Sequence, residues 1–251
     1  MRYFLEIAYK GTQYHGWQLQ PNARTIQEEI EKALSILTKS EVSISGAGRT
    51  DAGVHAEQLF AHFDLPNEIE VISQMCHSLN GLLPNDIVIR DIFQVKSNAH
   101  ARFDAIERTY EYRIYLGRNP FFLDTAHQLL NRKLNSVKMN EACEFLRSYT
   151  DFKSFSRWNT DVKTYDCDIV TAKWLQQDEW LIFTISANRF LRNMVRAIVG
   201  TMIDIGSGKT SLNEFEAIIK SKDRTKAGAS APAKGLFLTA VTYPKTIYKW
   251  A

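Results

Sequence analysis

The chain has 251 residues, 45% of them hydrophobic and 24% charged, with a formal net charge of +3; this is ordinary for a globular protein with an ample core. No stretch approaches the roughly 20 apolar residues that span a bilayer, and the charged start Met1–Glu6 lacks the apolar run of a secretory leader. Cys76, Cys143 and Cys167 are odd in number and far apart, without metal-type spacing, so reduced thiols and a cytoplasmic setting are expected.

In chain order, Tyr3, Leu5 and Ile7 alternate with Phe4, Glu6 and Ala8, predicting a strand with both faces partly apolar. A loop over 10–22 carries Tyr14, His15 and Trp17. Thr25 and Glu28 have capping-box spacing ahead of a helix whose apolar stripe is Ile26, Ile30, Ala33, Leu34 and Leu37. Val42 and Ile44 predict a short strand, 56–65 a longer one, Ile69 to Leu79 a second helix, and 87–95 another strand. The second half repeats this style. It offers a strand at 108–116 with Tyr110, Tyr112 and Ile114 on one face, a helix at 139–149, and a hairpin over 167–186 turning near Gln177-Asp178. Helices at 189–205 and 212–220 and a strand at 236–243 complete it, with 221–234 read as a mobile loop. The hairpin argues against an all-parallel sheet. The expected fold class is α+β: two similar α/β halves, 1–103 and 104–251, sharing a largely antiparallel central sheet flanked by helices.

Residues 46–56 read Gly46-Ala47-Gly48-Arg49-Thr50-Asp51-Ala52-Gly53-Val54-His55-Ala56. Glycines let such a loop take positive φ and let another backbone come close. In extended backbone Arg49 and Asp51 point to one side, so the cation can hold the carboxylate ionised. An ionised aspartate presented this way suits a covalent intermediate; a tight turn whose Asp51 bonds nearby amides is the alternative. The dinucleotide fingerprint fails because Asp51 stands at its third glycine, and the phosphate loop fails because Val54-His55 replace Lys-Ser/Thr.

Other residues invite two readings. Arg189, Arg192 and Arg196, three and four apart on the predicted helix, form either a solvated edge or a grip on phosphates. Tyr110 and Tyr112 could pack in a core or hold a base. Tyr14 and Trp17 could touch RNA or tuck inward, and Arg157, Trp158 and Lys163 mix basic and aromatic character. With no cysteine cluster and no histidine pair at ligand spacing, no metal and no cofactor are expected. The net charge permits a polyanionic partner without demanding one.

The string at 47–55 resembles the signature of the tRNA pseudouridine synthase A family. Further matches run in the family's order over essentially the full length: Tyr14-x-Gly16-Trp17-Gln18-x-Gln20, His100-Ala101-Arg102-Phe103, Arg108-Thr109-Tyr110-x-Tyr112, Asp151-Phe152-x-Ser154-Phe155, Met194-Val195-Arg196-x-Ile198-Val199-Gly200, Lys222-Asp223-Arg224-Thr225 and Gly235-Leu236. Lys10 stands where the family's first loop more often has aspartate. The resemblance implies a pseudouridine-synthase-like fold with a cleft between its halves. It also implies conversion of uridine to pseudouridine on the 3′ side of the tRNA anticodon stem-loop, and a homodimer. The reaction only rearranges atoms, so no cofactor is implied. On the same footing Asp51 is the nucleophile, Tyr110 the platform for an everted base, and Arg196 a cleft residue facing the carboxylate or the target phosphate. Arg49 would hold the carboxylate or a phosphate, while Arg189 and Arg192 would meet backbone phosphates. Rival readings are a non-catalytic RNA-binding module of βαβ type, suggested faintly by Lys234-Gly235-Leu236-Phe237, and a metal-dependent phosphodiesterase, which would need clustered acids that Asp51 lacks in sequence.

Overall fold

The computed structural model describes residues 1–130, 133–157 and 162–249. They fall into two compact units, Met1–Ile106 with Leu238–Ala251, and Glu107–Phe237. Among the described residues are nine strands and five α-helices, mixed in the manner of an α+β protein.

The first unit contains β1 (Arg2–Tyr9), α1 (Ile26–Thr38), β2 (Ser45–Gly46), β3 (His55–Asp64), α2 (Ile72–Leu82) and β4 (Ile87–Gln94). The central strand is β1, antiparallel to β3 on one side and β4 on the other. Its two apolar faces are both covered, as the sequence pattern requires: Phe4 meets Phe60, Phe93 and Tyr243, and Tyr3, Leu5 and Ile7 are buried opposite. Helix α1 buries Ile26, Ile30, Ala33 and Leu34. The Thr25 hydroxyl accepts from Glu28 N, but the Glu28 carboxylate turns to Lys32 Nζ at 2.6 Å, so the expected capping box closes on one side only. The chain's last segment also belongs here. Val241 N donates to Gln58 Oε1, Ile106 N to Thr242 O, and the Tyr243 ring sits edge-on to Phe4 and Phe60. Division of the sequence at 103/104 assigns that segment to the other half, because order along the chain does not show which neighbours a terminal strand takes.

The second unit contains β5 (Glu107–Tyr115), β6 (His127–Gln128), α3 (Ser136–Ser148), β7 (Ile169–Gln177), β8 (Trp180–Ala187), α4 (Met194–Gly206) and α5 (Leu212–Ser221), and β9 (Leu236–Thr242) leads back to the first. Strand β8 is antiparallel to both β5 and β7, whereas short β6 runs parallel to β5. The β7–β8 hairpin turns where expected, with Asp178 at φ +51°. Helix α3 starts ahead of the predicted 139 because the Asn135 side chain accepts from Lys138 N and caps it at Ser136.

Two expectations are corrected in this unit. The helix predicted from 189 begins only at Met194, since Asn193 takes φ +65° and Met194 N bonds back to Leu191 O. Arg189 and Arg192 therefore share no helical stripe with Arg196, and α4 buries all its residues except Arg196 and Asp204. Residues 221–234 are not a loose loop either. Asp223 N bonds Ser154 Oγ, the Arg224 guanidinium bonds Ala227 O, Gly228 O and Ser230 Oγ, and Gly228 N bonds Thr201 Oγ1. The segment lies directly on α4, where a Cβ on Gly200 would stand 1.7 Å from Ala229 O.

Candidate active site

Asp51 sits on a turn braced from behind by the loop at Gly11–Trp17. Val54 N donates to Asp51 O at 3.1 Å, and Gly53 supplies the positive φ of +76° at the turn's third position. Gly53 N donates to Tyr14 O and Trp17 N to Thr50 O, at 3.3 and 3.2 Å. Gly16 has φ +95°, and a Cβ there would come within 2.5 Å of Thr50 O; only glycine satisfies both conditions. Gly11 N donates to His55 Nδ1, and the Tyr9 and Thr50 hydroxyls share a hydrogen bond of 2.7 Å. The outcome is a half-buried carboxylate carried on backbone that cannot drift. Of the three glycines predicted to frame Asp51, Gly53 alone takes positive φ; Gly46 makes room for the Trp17 indole, and Gly48 borders open space.

In the second unit, packing separates two rival tyrosines that share a face of β5. Tyr112 is fully buried beneath Gly235, and its hydroxyl donates to Pro232 O at 2.8 Å. Burial pushes its phenol far above the ordinary range. Tyr110 is only half-buried, with its ring edge-on to Phe190 at 5.1 Å and 88°. Arg196 projects from the otherwise buried α4, its Nε donating to Ala231 O at 2.7 Å while its own carbonyl accepts from Ala231 N. Such a cation needs partners because its desolvation is costly.

The other predicted residues are placed as follows. Arg49 is exposed and its Nε donates to Gln18 Oε1 at 3.1 Å. Tyr14 is 3% exposed, donating to Asp86 Oδ1 beneath the Arg24 guanidinium, and Trp17 is 1% exposed between Gly46 and Tyr9. Rings so enclosed cannot stack on RNA, so both are anchors of the bracing loop. Arg189 is half-buried and Arg192 exposed on the loop ahead of α4, which Asn188 ties to Asp168. Arg157 and Lys163 are exposed, while Trp158 lies outside the described residues. Phe237 of the faint RNA-recognition motif is buried under Arg113, 3.9 Å from its ring centre, and offers no platform. Sequence reasoning missed the role of Phe190 as the wall for Tyr110, since no periodicity marks a loop aromatic. Among the described residues no group of three or more His, Cys, Asp or Glu side chains could hold a metal ion.

The Asp51 carboxylate is held on its turn in one unit, and the half-buried Tyr110 lies on a strand of the other. The sequence matches the family model described as tRNA pseudouridine synthase over residues 7–104 and 149–244, which takes in the Asp51 turn, its brace and α4. The chain belongs to this family, and so is an isomerase that forms pseudouridine in tRNA. It is 50% identical over 249 residues to the tRNA pseudouridine synthase A of Bacteroides fragilis, covering 99% of this chain and 98% of the relative. Identity to the enzyme of the same name from Parabacteroides distasonis is 49% over 247 residues, 98% of each chain. For Francisella tularensis it is 38% over 248 residues, 98% of this chain and 96% of the relative. Among the described residues no helix is long and apolar enough to cross a membrane.

Proposed function

We propose that this protein converts uridines on the 3′ side of the tRNA anticodon stem-loop to pseudouridine, with Asp51 as nucleophile. The observation that supports the reading most is the half-buried carboxylate on a turn held by Gly16, Gly53 and the Thr50 carbonyl. A nucleophile must be positioned before it reacts, and a fixed turn supplies that without a reorganisation cost. Asp51 adds to the everted nucleoside. The C1′–N1 bond breaks, the base turns, a C1′–C5 bond forms, and the bond to Asp51 is cleaved to restore the free carboxylate. C5 loses its proton and N1 gains one, so the net change is an isomerisation. Tyr110, held by Phe190, supplies the ring against which the base lies, and its hydroxyl is the candidate for handling the C5 proton. Arg196 neutralises the carboxylate or the target phosphate. Arg49, exposed beside the turn, meets a phosphate of the everted nucleotide, and Arg189 and Arg192 meet the backbone further off. A homodimer, in which one tRNA lies across both subunits, completes the proposal.

The test is tritium release from tRNA labelled at uracil C5, with and without magnesium. Label should be released without cutting of the chain in both conditions. Asp51→Asn should abolish release while tRNA affinity changes by less than a few-fold. Residual turnover within tenfold of the native enzyme removes Asp51 from the nucleophile's role.

A further inference from the structure

Between β4 and β5 lies the segment His100-Ala101-Arg102-Phe103, which the reaction does not use. Its backbone is fixed by several bonds. Asp104 N donates to His100 O at 3.0 Å, His100 N to Asp104 Oδ2 at 2.7 Å, and Arg102 N to His100 Nδ1 at 3.1 Å. From outside the segment, His62 Nδ1 accepts from Ala101 N, the Tyr243 hydroxyl donates to Ala101 O, and Arg2 donates to Ala99 O. On this rigid turn Phe103 is 74% exposed. The His100 ring backs it at 4.3 Å, itself edge-on to His62 at 4.5 Å, and the Arg102 guanidinium lies 5.6 Å from its centre. An aromatic ring held out to solvent by a turn bonded this thoroughly is a surface awaiting something flat. The Arg102 guanidinium, over the same ring, adds affinity for phosphate.

We propose that Phe103, flanked by Arg102, is a tRNA contact distinct from the reacting site: it stacks on an unpaired base while Arg102 meets the adjoining phosphate. The inference rests on tRNA being the substrate. Asp51 precedes β3, whereas the Phe103 turn is bonded to His62 near that strand's far end. His62 lies seven steps along the strand from His55, roughly 23 Å at about 3.3 Å per step. The ring therefore acts on binding and not on the chemical step.

The experiment measures tRNA affinity, kcat, KM and thermal midpoint for the native enzyme, Phe103→Ala, Phe103→Trp and Arg102→Gln. Phe103→Ala should raise Kd and KM together by about 10- to 100-fold, the range for one stacked base, with kcat and thermal midpoint near native. Phe103→Trp should restore affinity, and Arg102→Gln should lower the salt slope by about one. Unchanged affinity in Phe103→Ala, or a loss that tryptophan does not restore, overturns the proposal. So does concentration-dependent self-association that Phe103→Ala abolishes while tRNA affinity is kept, because a second copy would then cover the ring. A native enzyme that neither binds nor modifies tRNA defeats the substrate reading itself; native turnover with an indifferent Phe103→Ala defeats only this contact.

Discussion

Tyr110 and Tyr112 are the same residue type, two apart on one strand face, and their surroundings give them different work. Tyr110→Phe keeps the ring against Phe190 and removes the hydroxyl, so KM should stay near native while kcat falls about 100-fold or more if that oxygen handles the C5 proton. Single-turnover kinetics with labelled tRNA reads this directly, and an unchanged rate removes the hydroxyl from the mechanism. Tyr112→Phe should do the reverse. It removes the hydroxyl's hydrogen bond to the Pro232 carbonyl, costing about 1 kcal/mol in urea unfolding while leaving kcat intact. Arg196 belongs at this scale too: Arg196→Ala that leaves both turnover and its salt dependence unchanged shows that the cation's role is structural.

At the scale of elements, the Asp51 turn depends on a loop more than thirty residues earlier in the chain. Gly16→Ala brings both a positive φ and a 2.5 Å approach to Thr50 O, so it should cost about 1–3 kcal/mol of stability and depress kcat by shifting the carboxylate. Gly48→Ala, in open space on the same loop as Asp51, should leave the thermal midpoint alone. Equal effects of the two substitutions would show that the brace does not hold the turn. Helix α4 teaches the complementary point. Its apolar content was legible, but the start at Met194 was not, because a left-handed asparagine ends the pattern without interrupting the spacing of the arginines.

Across the molecule, one buried histidine predicts how stability responds to acid. Burial, with Arg2 and His100 nearby, pushes His62 down to about 4, Asp64 opposing the shift, while an unfolded histidine titrates near 6.5. Between those values the unfolded chain binds the proton that the folded chain refuses, so stability falls as pH drops from about 6.5 to 4 and changes no further on this account below that. The neutral ring is also the acceptor for Ala101 N, which protonation would remove. Thermal midpoints measured from pH 7 to 4 should fall more steeply for the native protein than for His62→Asn; parallel curves would show that His62 carries no such linkage. Charge acts globally as well. With a net charge of only +3, tRNA affinity should depend on local arginines, each lost phosphate contact lowering the salt slope by about one. Arg192→Glu tests this at the loop ahead of α4.

Sequence alone determined the family, the reaction class and most of the elements, because the Asp51 string is long and specific and because strands and helices announce themselves by local periodicity. The β7–β8 hairpin was read from adjacent residues for that reason. Only the tertiary structure decided which tyrosine is accessible, that Trp17 and Tyr14 face inward, and where the terminal strand belongs. Periodicity records that a face is apolar but not what covers it. Tyr112 is sealed by Pro232 and Gly235, 120 residues and more along the chain, and no local pattern reaches that far.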